Sequence, residues 1–510
     1  MRPVTLGLDV GTTSVKALLL DSGGRVAAVA GHEHGIVRRA GVVEADPEQW
    51  WASACAAVGR LAAMADGLLG QVAAVGLTGN MSSVVLLGRD REPLGHAPLL
   101  ADNRGERQLA ALPPAVRELI VTRTRNQPAT AFSLATLLYL RDEAPGLLGQ
   151  AHAWVSAKDY LRLRLTGAVG TDRTDAYNSL LISAGGHDWD PELIDATGLP
   201  QRIFPQIFPS TSQAGVVTSE AAARTGLPAG VPVVTGAGDI AAGALGAGTT
   251  DPGDVLISLG TSVTALAPVD ERGGTAWLGH LTYHPAASGG PGLALASLLT
   301  GGLALNWLRM VLADGVLAAD QGEPLDADDA LDADDPLVFL PHLAGTGSPG
   351  FLPYVQGSLV GLRPSTTPAA IVRALFEAIG FEIAEALTLL GPAGPPSGQD
   401  GGIRDGGILV SGGGTRLPAW VQTIADVLGR PVTVGADPDV SAIGAARLAW
   451  AGLTGAPAQD APRDRVATET RYEPVAERAG PLRARAGRYR QARDFMTAYY
   501  KDSRAGNATP

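Results

Sequence analysis

Cysteine is almost missing from this chain: Cys55 is the only one in 510 residues. A single thiol excludes intramolecular disulfides and cysteine metal clusters, and its place between Trp51 and Val58 suits a small core residue. Excess positive charge is missing too. Lys and Arg number 39 against 51 Asp and Glu, a formal net charge of −12, so nucleic acid is not an expected partner. The eight histidines, His32 and His34 among them, show no helical metal-ligand spacing. Long apolar runs are absent as well. The longest uncharged stretch, 285–308, is interrupted by Ser288, Gly289, Gly290, Pro291, Gly301, Gly302 and Asn306, which suits a loop and a buried helix rather than a membrane span. The first twenty residues carry Asp9 and Lys16 inside their apolar run and no cationic lead-in, so they do not read as a secretory signal and a cytoplasmic protein is expected. The acidic run Asp326, Asp328, Asp329, Asp332, Asp334, Asp335 lacks the glycine and closing glutamate of a calcium loop and reads as a solvated loop.

What is present describes a turn-rich globular protein: 45% hydrophobic and 18% charged residues with 66 Gly and 36 Pro, enough length for two or three domains. Apolar alternation predicts three antiparallel strands, Val4 to Val10, Val15 to Leu20 and Val26 to Ala30, joined by Gly11-Thr12-Thr13 and Asp21-Ser22-Gly23-Gly24. Asp46-Pro47-Glu48-Gln49 predicts a helix start, with Asp46 as N-cap, Pro47 first in the helix and Gln49 capping reciprocally, before an apolar helix to Met64. A strand from Val72 to Leu77 runs into Thr78-Gly79-Asn80-Met81-Ser82. The first strand–turn–strand is then echoed half a chain later. Leu8-Asp9-Val10-Gly11-Thr12-Thr13-Ser14-Val15 corresponds to Ile257-Ser258-Leu259-Gly260-Thr261-Ser262-Val263, which predicts a duplicated α/β domain. The domains expected are 1–250 and 251–495, followed by a tail over 496–510 that lacks structure from about Asp502. In the second half, 391–407 reads as a Pro/Gly-rich loop, Ile408 to Val410 as a buried strand ending in Ser411-Gly412-Gly413-Gly414-Thr415, and 419–428 as a helix. Gly444-Ala445-Ala446-Arg447-Leu448-Ala449-Trp450 reads as a helix with one small face suited to close packing.

Two tight Gly-Thr turns carry the first chemical signal. Such a turn between strands presents backbone N–H groups and hydroxyls in a concave array that binds phosphate without a cationic side chain; an ordinary hairpin turn is the other reading of each copy. Asp9, just before the first turn, could hold Mg²⁺ or its water shell against phosphates, or cap local amides. Asp239, after Gly236-Ala237-Gly238, is the only ionised residue between Arg224 and Asp251. It could accept the proton of a substrate hydroxyl in phosphoryl transfer, or serve as a helix N-cap. Gly412, Gly413 and Gly414 after a buried strand allow close approach of backbone to adenine or ribose, or form a flexible turn.

Taken in order, these motifs resemble the FGGY carbohydrate kinases, most closely the xylulokinases, over about residues 4–455. The resemblance rests on Asp9 to Lys16, Asp46 to Trp51, Lys158-Asp159-Tyr160-Leu161-Arg162-Leu163, Gly236 to Asp239, Leu259 to Ser262, Phe339-Leu340-Pro341, Gly412 to Gly414 and Gly444 to Ala446. It implies a two-lobed, actin-like and ribonuclease-H-like ATPase fold with ATP in the cleft between lobes and Mg²⁺ as the metal. Asp239 takes the place of the catalytic base, and Asp9 that of the metal-side aspartate. Asp239 would also face the metal, through water. Gly11, Thr12, Thr13, Lys16, Gly260, Thr261 and Ser262 fall on the phosphate side, and Gly412 to Gly414 on the adenosine side. The sugar side falls on Asn80, Met81, Ser82, Asp102, Arg104, Asp239 and Ile240. Departures concentrate there: Gln-Met-His is here Asn80-Met81-Ser82, Asp-Asn is Asp239-Ile240, and a Trp is replaced by Leu100. An apolar Ile240 offers no hydrogen bond to a substrate hydroxyl, so the hydroxyl pattern preferred is expected to shift. Elsewhere Glu-Arg-Thr-Pro is Thr346-Gly347-Ser348-Pro349.

The leading expectation is an ATP-dependent kinase for a pentulose, D-xylulose first. Another ketose, polyol or aldonate (ribulose, glycerol, erythritol, gluconate) is a second reading within the family. Outside kinase chemistry stand an actin-like ATPase that grips a protein and a non-catalytic sugar-binding regulator. The oligomeric state is left open, a homodimer included.

Overall fold

Strands β1 (Val4–Val10), β2 (Ser14–Leu20) and β3 (Val26–Glu33) form the expected antiparallel meander, with Asp9 opposite Lys16 and Val10 opposite Val15. They belong to a computed structural model that describes residues 4–65, 67–269, 277–312, 332–352, 354–390, 407–435, 439–463 and 469–506. Helix α1 (Pro47–Met64) lies against β2 and β3. Its N-cap Asp46 accepts from Glu48 N at 3.0 Å, as read, but Gln49 does not close a capping box. Its Oε1 accepts from Gly35 N at 3.1 Å, so the glutamine ties the preceding loop to the helix instead. Strand β4 (Val72–Gly79) then pairs in parallel with β1, both buried on two faces by apolar residues. Between β4 and the next sheet strands the chain builds helices α2 (Ala157–Thr166) and α3 (Arg173–Tyr177), beside a satellite core around Phe132, Leu137, Trp154 and Leu181. Strands β5 (Gln213–Val216), β6 (Pro232–Val234) and β7 (Ala237–Gly238) complete a sheet of order β5-β6-β4-β1-β2-β3, with β7 also on β4, and helix α4 (Asp239–Ala247) follows directly.

The second unit repeats this plan. Strands β8 (Val255–Leu259) and β9 (Val263–Val269) make an antiparallel hairpin. After helix α5 (Pro368–Leu389), β10 (Ile408–Ser411) pairs in parallel with β8. Helix α6 (Pro418–Leu428) then leads to β11 (Val432–Val434), parallel to β10, and β12 (Thr470–Tyr472) closes that edge antiparallel. In the first unit β1, β2, β4, β6 and β5 hold the same relations: hairpin, parallel neighbour, parallel next neighbour, antiparallel edge. The predicted duplication is therefore one of strand arrangement, although the antiparallel edge strand comes before its neighbour in the first unit (β5 before β6) and after it in the second (β12 after β11). The residues chosen differ; α5 and α6 pack through Phe376 stacked on Trp420, 4.9 Å between ring centres and 4° between planes.

Compact units comprise Met1–Thr250, Tyr283–Leu293 and Asp439–Ala467 in one case and Asp251–Thr282, Ala294–Pro438 and Thr468–Pro510 in the other. This corrects the expectation of an unbroken 251–495 domain. Helix α7 (Val440–Thr454) returns to the first unit, and its small face explains why. A Cβ on Gly444 would overlap Ala242 O, one on Gly246 would overlap Val440 O, and one on Gly7 or Gly76 would overlap the carbonyls of Ala442 or Ala445. Only glycine lets α7 touch α4, β1 and β4 backbone to backbone.

Two further expectations need correction. Residues 496–506 continue the helix Ala479–Gly506 rather than forming a tail. Asp335 pairs with Arg485 at 3.0 Å and Arg373 at 3.5 Å, so the last acid of the run is an ion-pair anchor, while Asp332 and Asp334 before it are exposed, as in a solvated loop. The rest of that run up to 331 and most of the 391–407 loop lie outside the described residues.

Candidate active site

Strand β1 delivers Asp9 to the end of the sheet, where the chain reverses through Gly11 to Ser14. Gly11 N donates to Ser14 O at 2.9 Å. The carbonyls of this turn are tied back: His34 N donates to Thr13 O at 2.9 Å, and His34 Nε2 donates to Thr12 O at 3.0 Å. Burial keeps His34 below its ordinary value and thus neutral. With the carbonyls held, the amides of exposed Thr12 and Thr13 have no acceptor among the described residues, the arrangement that receives an anion.

The second turn, in the other unit, is built alike and is one residue shorter. Gly260 N donates to Ser262 O at 3.0 Å, while the Gly260 and Thr261 carbonyls accept from Gly302 N at 2.8 Å and Gly301 N at 2.9 Å. The Thr261 and Ser262 amides are left over in the same way. β10, the parallel neighbour of β8, is followed by Gly412, whose φ is +89° and where a Cβ would lie 2.7 Å from Leu259 O; at Gly413 a Cβ would meet nothing within 4 Å.

Asp239 opens helix α4 as its first residue, with Gly238 in the N-cap position. The N-cap reading is therefore displaced by one residue; the carboxylate accepts from Ile240 N, at 2.9 Å. Burial, then the neighbouring negative charge of Asp9 and of Asp175, pushes its pKa from 3.8 to about 8. Asp9 is raised to about 6, by burial above all, with Lys16 pulling it down and Asp439 pushing it up. No turn amide donates to Asp9 among the described residues. Both carboxylates remain partly open to solvent, so two acids face one another in a site that disfavours charging both. That surplus of negative charge fits a cation, and MgATP chemistry needs few protein ligands because phosphates and water supply the rest. Among the described residues, no cluster of three or more His, Cys, Asp or Glu could form an all-protein metal cage.

The remaining predicted residues are occupied by structure in informative ways. Asn80 is buried, and its Nδ2 donates to Val10 O at 2.9 Å and Gly11 O at 3.4 Å, bracing the first turn. The Met81 thioether covers Gly238, where an added Cβ would lie 2.8 Å from Cγ and Sδ. Ser82, at φ +69°, donates to Ala131 O and accepts from Asn178 Nδ2. Residues 80–82 thus link the first turn to the Asp239 strand end. Asp102 and Arg104 pair with each other at 2.8 Å, Arg104 with Glu44 at 2.5 Å, and the guanidinium lies 5.0 Å over the Tyr139 ring. Lys16 Nζ is engaged by Asp439. Ile240 is half-buried beside Asp239.

Lys158 and Asp159 lie in a motif whose sequence pattern gives them no chemical role. In the structure Lys158 is fully buried and bonds Asp159 at 2.6 Å, Asp172 at 3.0 Å and Asp175 at 3.1 Å, while Arg162 reaches Asp159 at 2.8 Å. Burial alone would lower Lys158; the three carboxylates overcome it and hold the ammonium charged. Burial pushes Asp175 upward, against the pull of Lys158. The charge of Asp175, the acid of this cluster that burial pushes upward, bears on Asp239.

With this geometry in hand, comparison with known proteins is decisive. Residues 4–246 match the N-terminal domain, and residues 255–453 the C-terminal domain, of the FGGY family of carbohydrate kinases. The chain belongs to that family. The FGGY chain is 31% identical to a xylulose kinase of Streptomyces rubiginosus over 98% of its length and 96% of the relative's, and 30% identical to one of Escherichia coli (strain K12) over 87% and 89%. The structure of a xylulose kinase from Rhodospirillum rubrum superposes with a TM-score of 0.84 at 28% identity, covering 98% of this chain and all of that one. The fold is accordingly the duplicated actin-like ATPase fold, and the protein is an ATP-dependent sugar kinase. No helix among the described residues is long and apolar enough to cross a membrane.

Proposed function

We propose that this FGGY kinase transfers the γ-phosphate of MgATP to a hydroxyl of a pentulose, D-xylulose first, with Asp239 as the base. The observation that carries the reading is the Asp239 carboxylate. It opens a helix, is hydrogen-bonded by local backbone amides, and has a pKa raised to about 8. A base poised near neutrality both accepts a hydroxyl proton and releases it easily, which is the useful range for general base catalysis. The names of the relatives above supply the substrate.

The residues divide the work. The amides of Thr12 and Thr13 and those of Thr261 and Ser262 receive phosphate oxygens, and Gly412 to Gly414 leave room beside the nucleoside. Asp9, with Asp239 through water, would hold Mg²⁺, which would neutralise charge on the β- and γ-phosphates. Asp239 then orients the sugar oxygen in line and takes its proton as the O–P bond forms and ADP leaves. Such a reaction draws on the ATP pool of the cytoplasm, where we place the protein.

The apolar side chain of Ile240 and the internal bonding of Asn80 and Ser82 support a second reading, in which another ketose, polyol or aldonate is preferred. Sugar-dependent ADP release across pentuloses, hexuloses, polyols and aldonates separates the two. Highest kcat/KM with D-xylulose is expected, lost in Asp239→Asn. ADP release that ignores sugar and survives that substitution would overturn the kinase mechanism in favour of an ATPase.

A further inference from the structure

The Ala237–Gly238 peptide, which leads into Asp239, is held by a buried hydroxyl from another element. Gly238 N donates to Thr174 Oγ1 at 2.7 Å, and Thr174 Oγ1 donates to Asp172 Oδ2 at 2.7 Å. The direction of this relay is forced: an amide can only donate and an ionised carboxylate only accept, so the hydroxyl proton must point at Asp172 and a lone pair at Gly238. Asp172 is itself saturated. It accepts from Thr174 N at 2.9 Å, Asp175 N at 3.3 Å and Ser210 Oγ at 2.9 Å, and pairs with Lys158 at 3.0 Å. Thr174 and Asp172 are wholly buried.

The approach to Asp239 is constrained on its other sides too. Thr235 N and Gly236 N donate to Ser212 O and Ser210 O, each at 2.9 Å, and a Cβ on Gly236 would overlap Leu77 O. The Thr174 hydroxyl supplies the last amide contact before the catalytic residue. It sits one peptide from the Asp239 Cα and contacts neither the Asp239 carboxylate nor the phosphate turns.

We propose that Thr174 is a positioning residue for phosphoryl transfer: its hydroxyl, clamped by Asp172, fixes the Ala237–Gly238 peptide, the one that leads into Asp239, and hence the direction of the Asp239 carboxylate. The proposal rests on the reading of Asp239 as the base. Its consequence is a selective one. Nucleotide and sugar are held by other groups, so loosening the peptide should lower the rate of transfer and leave binding nearly intact; small misplacements of a reacting group cost about tenfold to a hundredfold.

The experiment compares Thr174→Val, Thr174→Ser and Asp239→Asn in the full chain by steady-state sugar-dependent ADP release. Expected is a fall of about tenfold or more in kcat for Thr174→Val with KM for ATP and sugar within about twofold, and recovery of most of that kcat in Thr174→Ser. A kcat for Thr174→Val within twofold of wild type, a loss confined to KM, or a serine variant as poor as the valine one would overturn the positioning role. Should Thr174→Val not fold, Thr174→Ala takes its place, and failure of both to fold would make the hydroxyl purely structural and overturn the role equally. Asp239→Asn keeps the two readings apart. Sugar-dependent turnover surviving there removes the base assignment and the positioning role with it, whereas a dead Asp239→Asn beside an unaffected Thr174→Val removes the positioning role alone.

Discussion

The two units share a strand–turn–strand and a strand order but not their acids. Asp9 stands before Gly11 where Ser258 stands before Gly260, and the first unit alone follows its sheet with the Asp239 helix. In both turns the carbonyls are tied back, and the amides of Thr12, Thr13, Thr261 and Ser262 have no acceptor among the described residues. On the proposed reading, phosphate recognition by backbone survived duplication in two copies because it asks nothing of side chains beyond a glycine and small hydroxyls. Proton transfer and metal charge compensation need specific carboxylates, and these occur once.

The largest effect should come from the unit that carries them. Asp239→Asn is expected to lower kcat by about a hundredfold to ten-thousandfold, the usual worth of a general base, with KM changed little. The same substitution should stabilise the protein without ligands. A carboxyl raised to about 8 from 3.8 contributes stability that is fully present below about pH 4 and is lost as pH climbs toward 8. Asparagine removes that slope, so thermal unfolding in the absence of ligand should show a higher Tm for Asp239→Asn at pH 8, by about 1–3 °C, and a smaller difference at pH 5. Equal Tm values at both pH values would mean that the acid pair is not strained.

Next in size is the exchange at the paired strand ends. Asp9→Ser should cost about a hundredfold in kcat/KM and flatten the response to Mg²⁺ concentration. The reverse change, Ser258→Asp, places a carboxylate before the second phosphate turn and should raise KM for ATP about tenfold through repulsion, with kcat less affected. The double exchange should not recover activity. A double variant as active as wild type would show the two turns to be chemically interchangeable and dissolve the comparison.

How much of this could be read from residues alone follows the same division. The meander, the echoed turn and the small-faced helix were legible because alternation, Gly-Thr turns and runs of Gly and Ala are local signals. Asp239 stood out because it was a lone charge among small residues. The Lys158 cluster was not legible: Lys158-Asp159 and Arg162 have the spacing of an exposed, ion-paired helix face, and only the fold, by bringing Asp172 and Asp175 against them, makes them a buried network. Nor could the sequence show that 439–467 returns to the first unit, because the contacts responsible are backbone to backbone between residues about two hundred to four hundred positions apart. Asn80 and Ser82 carry polar groups that a family comparison points toward substrate, yet their bonds to Val10, Gly11 and Ala131 are long-range and invisible to local pattern.

The smallest expected effect tests the second unit's share of the work at a single pair of glycines. At Gly412, φ is +89° and a Cβ would lie 2.7 Å from Leu259 O, so Gly412→Ala should destabilise by about 1–3 kcal/mol through backbone strain and crowding. At Gly413 an added Cβ meets no protein atom within 4 Å. Gly413→Ala should leave Tm within about 2 °C, so any change in KM for ATP reports ligand space rather than damage to the fold. A rise of about threefold to tenfold is expected if adenosine lies against this loop, equivalent to losing one close backbone approach. An unchanged KM for ATP in a stable Gly413→Ala would move the nucleoside away from 412–414 and leave the second unit only its phosphate turn.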